Sequence, residues 1–276
     1  MTARTSALQL FSAAALLLGP GVHAQPDQAT ATAQRLMVRS GLAVQLRGFT
    51  DQVIGDIRQN MTNFDPRSVE RLVESARQAF RPEALQQDIG ARVAKKLTVD
   101  DMQVALAWLD TDVGARITRA EEAAAGSVDA TRIAQFAHRL QTHPLPARRR
   151  KLISDLIAAT GAVRVAASVA ETMALGIALG MDSLQPQDRR VGEARLRAHV
   201  QQAVPADKLQ ALFAQQLPVN YAYTYRDIPD GDLSAYVGFL SGATGKRYHE
   251  GMNAAFTEGV ARASMQLGSA VSAAGS

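Results

Sequence analysis

Apolar residues recur along this chain at the spacing of an amphipathic helix. They do so through Leu36, Val44, Phe49, Val53 and Ile57, and again through Leu97, Met102, Leu106 and Leu109. Helix-opening residues stand at the segment starts. Asp65-Pro66 precedes a helix from Val69 to Phe80, Arg81-Pro82-Glu83 precedes one at Leu85, and Thr98 stands three residues before Asp101. Pro205 and Asp207 open a helix over Leu209 to Leu217 in the same way. Sustained alternation of β-branched residues is lacking. The one period-two stretch, Tyr221-Ala222-Tyr223-Thr224-Tyr225, is too short to make a sheet. The pattern predicts an all-α fold.

A second regularity lies on top of the first. The segment from Leu97 to Ile117 aligns without a gap on the segment from Ile228 to Tyr248. This pairs Asp101 with Asp232, Met102 with Leu233, Trp108 with Phe239, Leu109 with Leu240, Gly114 with Gly245 and Arg116 with Arg247. Upstream, the run from Leu36 to Gly41 resembles that from Leu156 to Gly161. The expectation is two diverged tandem copies of one multi-helix unit. The first helical repeat spans 25–140, a basic Pro-containing linker spans 141–151, and the second repeat spans 152–276.

Within the second copy, Asp230 or Asp232 can cap a helix whose stripe is Leu233, Tyr236, Val237 and Leu240. Ser241-Gly242 ends it, and Thr244 can cap a following helix carrying Tyr248, Met252 and Phe256. The result is a helix–turn–helix hairpin, with Gly245 where the chain passes close to its neighbour. Ile228-Pro229-Asp230-Gly231-Asp232-Leu233, Tyr236 to Leu240 and Gly245-Lys246-Arg247-Tyr248 resemble the hallmark of the domain of unknown function 2059 family. The resemblance is clearest over 221–256 and weaker over 93–124. It implies an exported, all-helical bacterial protein with no assigned activity. Family members place a Pro shortly before the hallmark Gly, where this chain has Ala243 and Asp112 nearby. No catalytic residue carries over.

Composition changes the picture in two ways. Zero Cys among 276 residues removes disulfides, thiol nucleophiles, Cys-type zinc sites and iron–sulfur clusters together. The start of the chain reads as a secretory signal. Arg4 is followed by an apolar run from Ala7 to Leu18, the breaker Gly19-Pro20-Gly21, and Val22-His23-Ala24 as the cleavage site. Cleavage after Ala24 predicts a periplasmic protein that begins at Gln25. A second apolar stretch, Leu156 to Met181, is interrupted by Arg164 and Glu171, which share one helix face. It reads as a buried, Ala-rich helix of a soluble protein, in which Gly176 and Gly180 let a neighbour approach closely. No integral membrane protein is expected after cleavage.

Several catalytic patterns fail on their residues. In Ser241-Gly-Ala-Thr-Gly-Lys-Arg247 the first Gly of a phosphate loop would fall on Leu240, and Arg247 stands where a hydroxyl residue belongs. His249-Glu250-Gly251-Met252-Asn253 has Asn at the second zinc ligand. His138 and His143 are five apart and do not share a helix face. No metal or cofactor is expected, and the catalytic residues of any activity are unknown.

Two features survive. Every Tyr of the chain lies between Tyr221 and Tyr248, so Tyr221, Tyr223, Tyr225, Tyr236 and Tyr248, with Phe239 and Arg247, form a candidate ligand-binding set. Such rings suit an exposed platform. The run Arg148, Arg149, Arg150 and Lys151 is the candidate contact for an anionic envelope surface such as lipid, glycan or protein. Nucleic acid is not expected, since the aromatics do not interleave with the basic run. The expected role is non-catalytic binding or envelope interaction. One rival is a helical enzyme acting on an envelope polymer through Asp230, Asp232, His249 and Glu250. Another is a carrier with an apolar tunnel between the two copies.

Overall fold

A computed structural model describes residues 26–126 and 130–273, with side chains over 28–125 and 131–267. The expected signal segment and its cleavage site after Ala24 lie outside the described residues. Among the described residues the chain consists of helices joined by short turns and loops, with no strand. The first half forms α1 (Pro26–Arg39), α2 (Leu42–Asn60), α3 (Pro66–Ala79), α4 (Pro82–Lys96), α5 (Val99–Leu109), α6 (Asp112–Gly126) and α7 (Ala130–Thr142). The second forms α8 (Ala147–Thr160), α9 (Ala162–Ser183), α10 (Glu193–Ala203), α11 (Ala206–Thr224), α12 (Asp230–Ser241) and α13 (Ala243–Ala273).

Side-chain caps account for the starts of α3 and α5. Asp65 accepts the Ser68 N–H at 2.9 Å, and the Thr98 hydroxyl accepts the Asp101 N–H at 3.1 Å. Two expected caps do not form. Pro229 precedes α12, so Asp230 and Asp232 fall inside its first turn and their carboxylates are spent on arginines. Ala243 opens α13, which leaves Thr244 inside the helix, where its hydroxyl accepts from Arg247. The period-two tyrosine run is helical. α11 continues through Pro218 to Thr224 and ends on Tyr225. Helical winding therefore sets Tyr221 and Tyr225 on one face, four residues apart, and sends Tyr223 to another.

The long helix α13 is the axis of the molecule. It packs against α3, α4 and α5 of the first half and against α9 and α12 of the second. Its Tyr248, Met252, Ala255, Val260, Ala263 and Leu267 complete a core with Leu36, Leu72, Phe80, Ile89 and Met102. The expected repeat boundaries thus do not divide the packing. A smaller core gathers Ile117, Leu156, Tyr225, Leu233, Tyr236 and Leu240, and Trp108 and Phe239 pack against both.

Among the described residues one helix, Ala162–Ser183, is long and apolar enough to cross a membrane. It is buried along only one face, where Gly176 and Gly180 meet α13 and α3. A Cβ on Gly176 would lie 2.7 Å from the Ser264 backbone oxygen, and one on Gly180 would lie 2.7 Å from Leu72. The small residues act here as close-approach positions, as their spacing predicts. The rest of the helix is half-buried, and Arg164 is exposed.

The two aligned segments form two hairpins, α5–α6 and α12–α13, with matching turns. A Cβ on Gly114 would meet the Trp108 carbonyl oxygen at 2.3 Å and one on Gly245 would meet that of Phe239 at 1.9 Å. The hairpins then pack reciprocally. Arg247 of the second pairs with Asp101 of the first at 2.6 Å, and Arg116 of the first pairs with Asp232 of the second at 2.8 Å. Between these ion pairs the aligned rings Trp108 and Phe239 stack at 4.5 Å and 11°. Each ion pair thus joins an Arg of one hairpin to an Asp of the other, in both directions. The upstream segments match as well. Gly41 between α1 and α2 has φ 73°, and Gly161 between α8 and α9 has φ 60°, both left-handed.

Candidate functional site

A cavity of about 530 Å³ lies where these matched elements meet. Both halves of the chain line it: Ser40, Leu42, Gln45, Phe49, Glu121 and Ala125 from the first, and Thr160, Ala162, Val165, Val169, Met252 and Phe256 from the second. The first half brings the polar Gln45 and Glu121, and the second half's share is mostly apolar. The remaining wall comes from α11, α12 and the start of α13, which add Tyr221, Tyr225, Tyr236, Tyr248, His249 and Asn253. A smaller cavity of about 320 Å³ shares Thr160, His249 and Asn253 with it. Asn253 donates to the Thr160 carbonyl at 2.8 Å and so fixes that partition.

Glu121 is the chemical centre. It sits one turn after the buried Ile117 and on the same face of α6, so the helix that packs Ile117 also carries a carboxyl inward. The Tyr225 hydroxyl donates to its Oε1 at 2.6 Å and the Tyr236 hydroxyl donates to the same oxygen at 3.2 Å. Loss of hydration raises the acid to about 7, against the two hydrogen bonds, which favour the carboxylate. Their own burial, and after it the field of Glu121, pushes Tyr225, Tyr236 and Tyr248 upward, and Tyr221 to about 12. These phenols stay protonated. Burial lowers His249 to about 4, so it lines the cavity as a neutral imidazole.

Four of the seven expected ligand residues meet here, but not on an exposed platform. Tyr225, Tyr236 and Tyr248 are buried, at 4%, 8% and 7% exposure, because the helical winding of α11 and the hairpin stripe turn them inward. Tyr221 joins them through Tyr225, with ring centroids 5.8 Å apart. The other three lie elsewhere. Tyr223 packs edge-on against Phe136 and under the Arg226 guanidinium. Phe239 is held in the Trp108 stack, and Arg247 in its ion pair with Asp101.

The basic run is dispersed by the first turns of α8. Arg149 is buried and donates to the Ile228 carbonyl at 2.7 Å, to Asp230 at 2.8 Å and to the Tyr225 carbonyl. Arg148 lies 3.8 Å from Asp230, Arg150 donates to the Leu145 carbonyl, and Lys151 pairs with Asp155 at 2.8 Å. Helical spacing, which sends consecutive side chains to different faces, is the physical reason that no continuous basic strip forms. Arg149 instead holds the turn between α11 and α12, and with it the tyrosines. Arg149→Met is expected to cost about 2 kcal/mol in urea denaturation, because two carbonyls and Asp230 lose their donor.

The four residues of the enzyme reading divide into two pairs. Asp230 and Asp232 are in ion pairs with Arg149 and Arg116, whereas His249 lines both cavities and the exposed Glu250 lines the smaller one beside it. Glu121 was not singled out by sequence reasoning. The available signal was its register, a carboxyl four residues after Ile117 in an apolar stripe. Among the described residues no group of three or more His, Asp or Glu side chains comes together to hold a metal ion. No family model matches the chain, and neither a curated protein nor a solved structure matches it.

Proposed function

We propose that this chain is a non-catalytic, exported binding protein that holds one small, mainly apolar molecule between its two hairpins. The observation that carries the reading is the 530 Å³ cavity, lined mainly by aliphatic and aromatic side chains, with a few uncharged polar groups and a single carboxyl. Its volume falls within the range of small-molecule sites. The alternative use of the site, acid–base catalysis, lacks support in the pairing of Asp230 and Asp232.

Two further parts belong to the proposal. The chain is an internal duplication, supported by the gapless alignment, the reciprocal ion pairs and the matched glycines. Its hairpins belong with the domain of unknown function 2059 family, supported by the residues from Ile228 to Tyr248. Export through residues 1–24 places it in the periplasm of its cell, where it meets envelope components.

The test is to purify the protein from its own cell envelope and weigh it by native mass spectrometry. The expected result is a chain starting at Gln25 with one small molecule bound, released on denaturation. A bare chain, empty and monomeric, would count against the reading.

A further inference from the structure

The lining of the cavity is more selective than its size. It contains one carboxyl, Glu121, and neither Arg nor Lys. The remaining titratable ring, His249, is neutral. No positive charge in the wall compensates an anion. A fatty acid or other carboxylate would face Glu121 with no counter-charge, in a site poor in water where like charges repel strongly.

A cation meets the opposite situation. Six aromatic rings, those of Phe49, Tyr221, Tyr225, Tyr236, Tyr248 and Phe256, line the same space. Ring faces attract an ammonium group, and more so once it is desolvated. The hydroxyls add to this. Tyr225 and Tyr236 both spend their protons on Glu121 Oε1, so each phenol oxygen is left as an acceptor. Both bonds fall on one carboxylate oxygen, and Oε2 receives neither. Ser40, Gln45, Gln52, Thr160, Thr224 and Asn253 add uncharged polar groups to the wall, and the α9 side of it is apolar. Ala162, Val165, Ala166, Val169 and Met252 give a hydrocarbon chain a surface that a compact, hydrophilic cation would not use.

We infer that the cavity takes an amphiphilic ammonium compound, its cationic head against Glu121 and the tyrosine rings and its hydrocarbon body against α9 and Met252. The inference rests on the reading of this cavity as a ligand site and adds the charge of the ligand to it. The acid's position near neutrality agrees with that chemistry. A bound cation favours ionised Glu121, so binding of the cation must expel a proton below about pH 7.

The test uses the mature protein and three probes of equal length, decylammonium, decanol and decanoate, titrated calorimetrically at about pH 8, where the amine is still charged. Decylammonium is expected to bind ~10-fold or more tightly than decanol, and decanoate weakest. Glu121→Gln is expected to abolish the preference for decylammonium over decanol. Should that variant not fold, the wild type gives an independent reading. Its affinity for decylammonium is expected to rise ~10-fold per unit from about pH 5 to 7 and then level off, while that for decanol does not rise. Equal binding of decylammonium and decanol, or a preference that survives in Glu121→Gln, overturns the assignment of charge but leaves the cavity as a binding site. Failure of all three probes overturns both.

Discussion

Gly245→Ala is expected to destabilise the protein by about 3–5 kcal/mol, whereas Gly238→Ala, seven residues earlier, is expected to stabilise it by about 0.5–1 kcal/mol. Both glycines lie in the second hairpin. A Cβ at 238 meets nothing within 4 Å, so the substitution only removes backbone freedom from the unfolded chain. A Cβ at 245 lies 1.9 Å from the Phe239 carbonyl oxygen and 3.1 Å from the Leu240 Cα. These are backbone atoms, and no rotamer change relieves them. The two helices must separate, and the separation pulls Phe239 off Trp108 and Tyr248 away from the cavity. Gly114→Ala is expected to act alike, since its Cβ lies 2.3 Å from the Trp108 oxygen and 2.8 Å from the Leu109 Cα. Urea midpoints of the three variants check this, and a stable Gly245→Ala protein would mean that the hairpin is not packed so closely.

The second large effect is in the pH dependence of stability. Glu121 is raised from 4.5 to about 7, so its folded form favours the proton. Its contribution is complete below about pH 4.5 and is lost as the pH rises to about 7, at most ~3 kcal/mol. His249 is lowered from 6.5 to about 4, and its contribution has the opposite sense. That one is complete above about pH 6.5 and is lost as the pH falls to about 4, again at most ~3 kcal/mol. In the wild type the two slopes oppose each other between about pH 4.5 and 6.5. Removing either group exposes the other. Relative to wild type, Glu121→Gln is expected to gain stability steadily from about pH 4.5 to 7. His249→Gln is expected to gain it as the pH falls from about 6.5 to 4. Denaturation at a series of pH values reads both differences. Parallel curves for wild type and Glu121→Gln would show that the carboxyl ionises as it does in water.

Much of the architecture is legible in the sequence because it depends on local rules. Helical period, the Asp65 and Thr98 caps and the apolar stripe of Leu233, Tyr236 and Leu240 all act within a few residues. The need for glycine at 114 and 245 follows from the hairpin turn, and the alignment finds both. What the sequence hides is long-range. Nothing local states that Arg149 reaches the turn after α11, or that Arg116 and Arg247 exchange partners between hairpins. A run of basic residues read as a patch is split by helical winding. The period-two tyrosines look extended until Pro218 is placed inside α11. Glu121 is the clearest case. Its meaning depends on two phenols more than a hundred residues away, and only its place in the Ile117 stripe marks it in advance.

The central claim is that a small molecule occupies the space between the hairpins. The most direct measurement sets the wild type beside a filled cavity, Ala162→Phe with Ala166→Phe, both purified from the same envelope and weighed by native mass spectrometry. The two alanines lie one turn apart on α9 and line the cavity. The account predicts one bound molecule on the wild type and none on the double variant, whose helical circular dichroism is unchanged. The same bound mass on both proteins would contradict it.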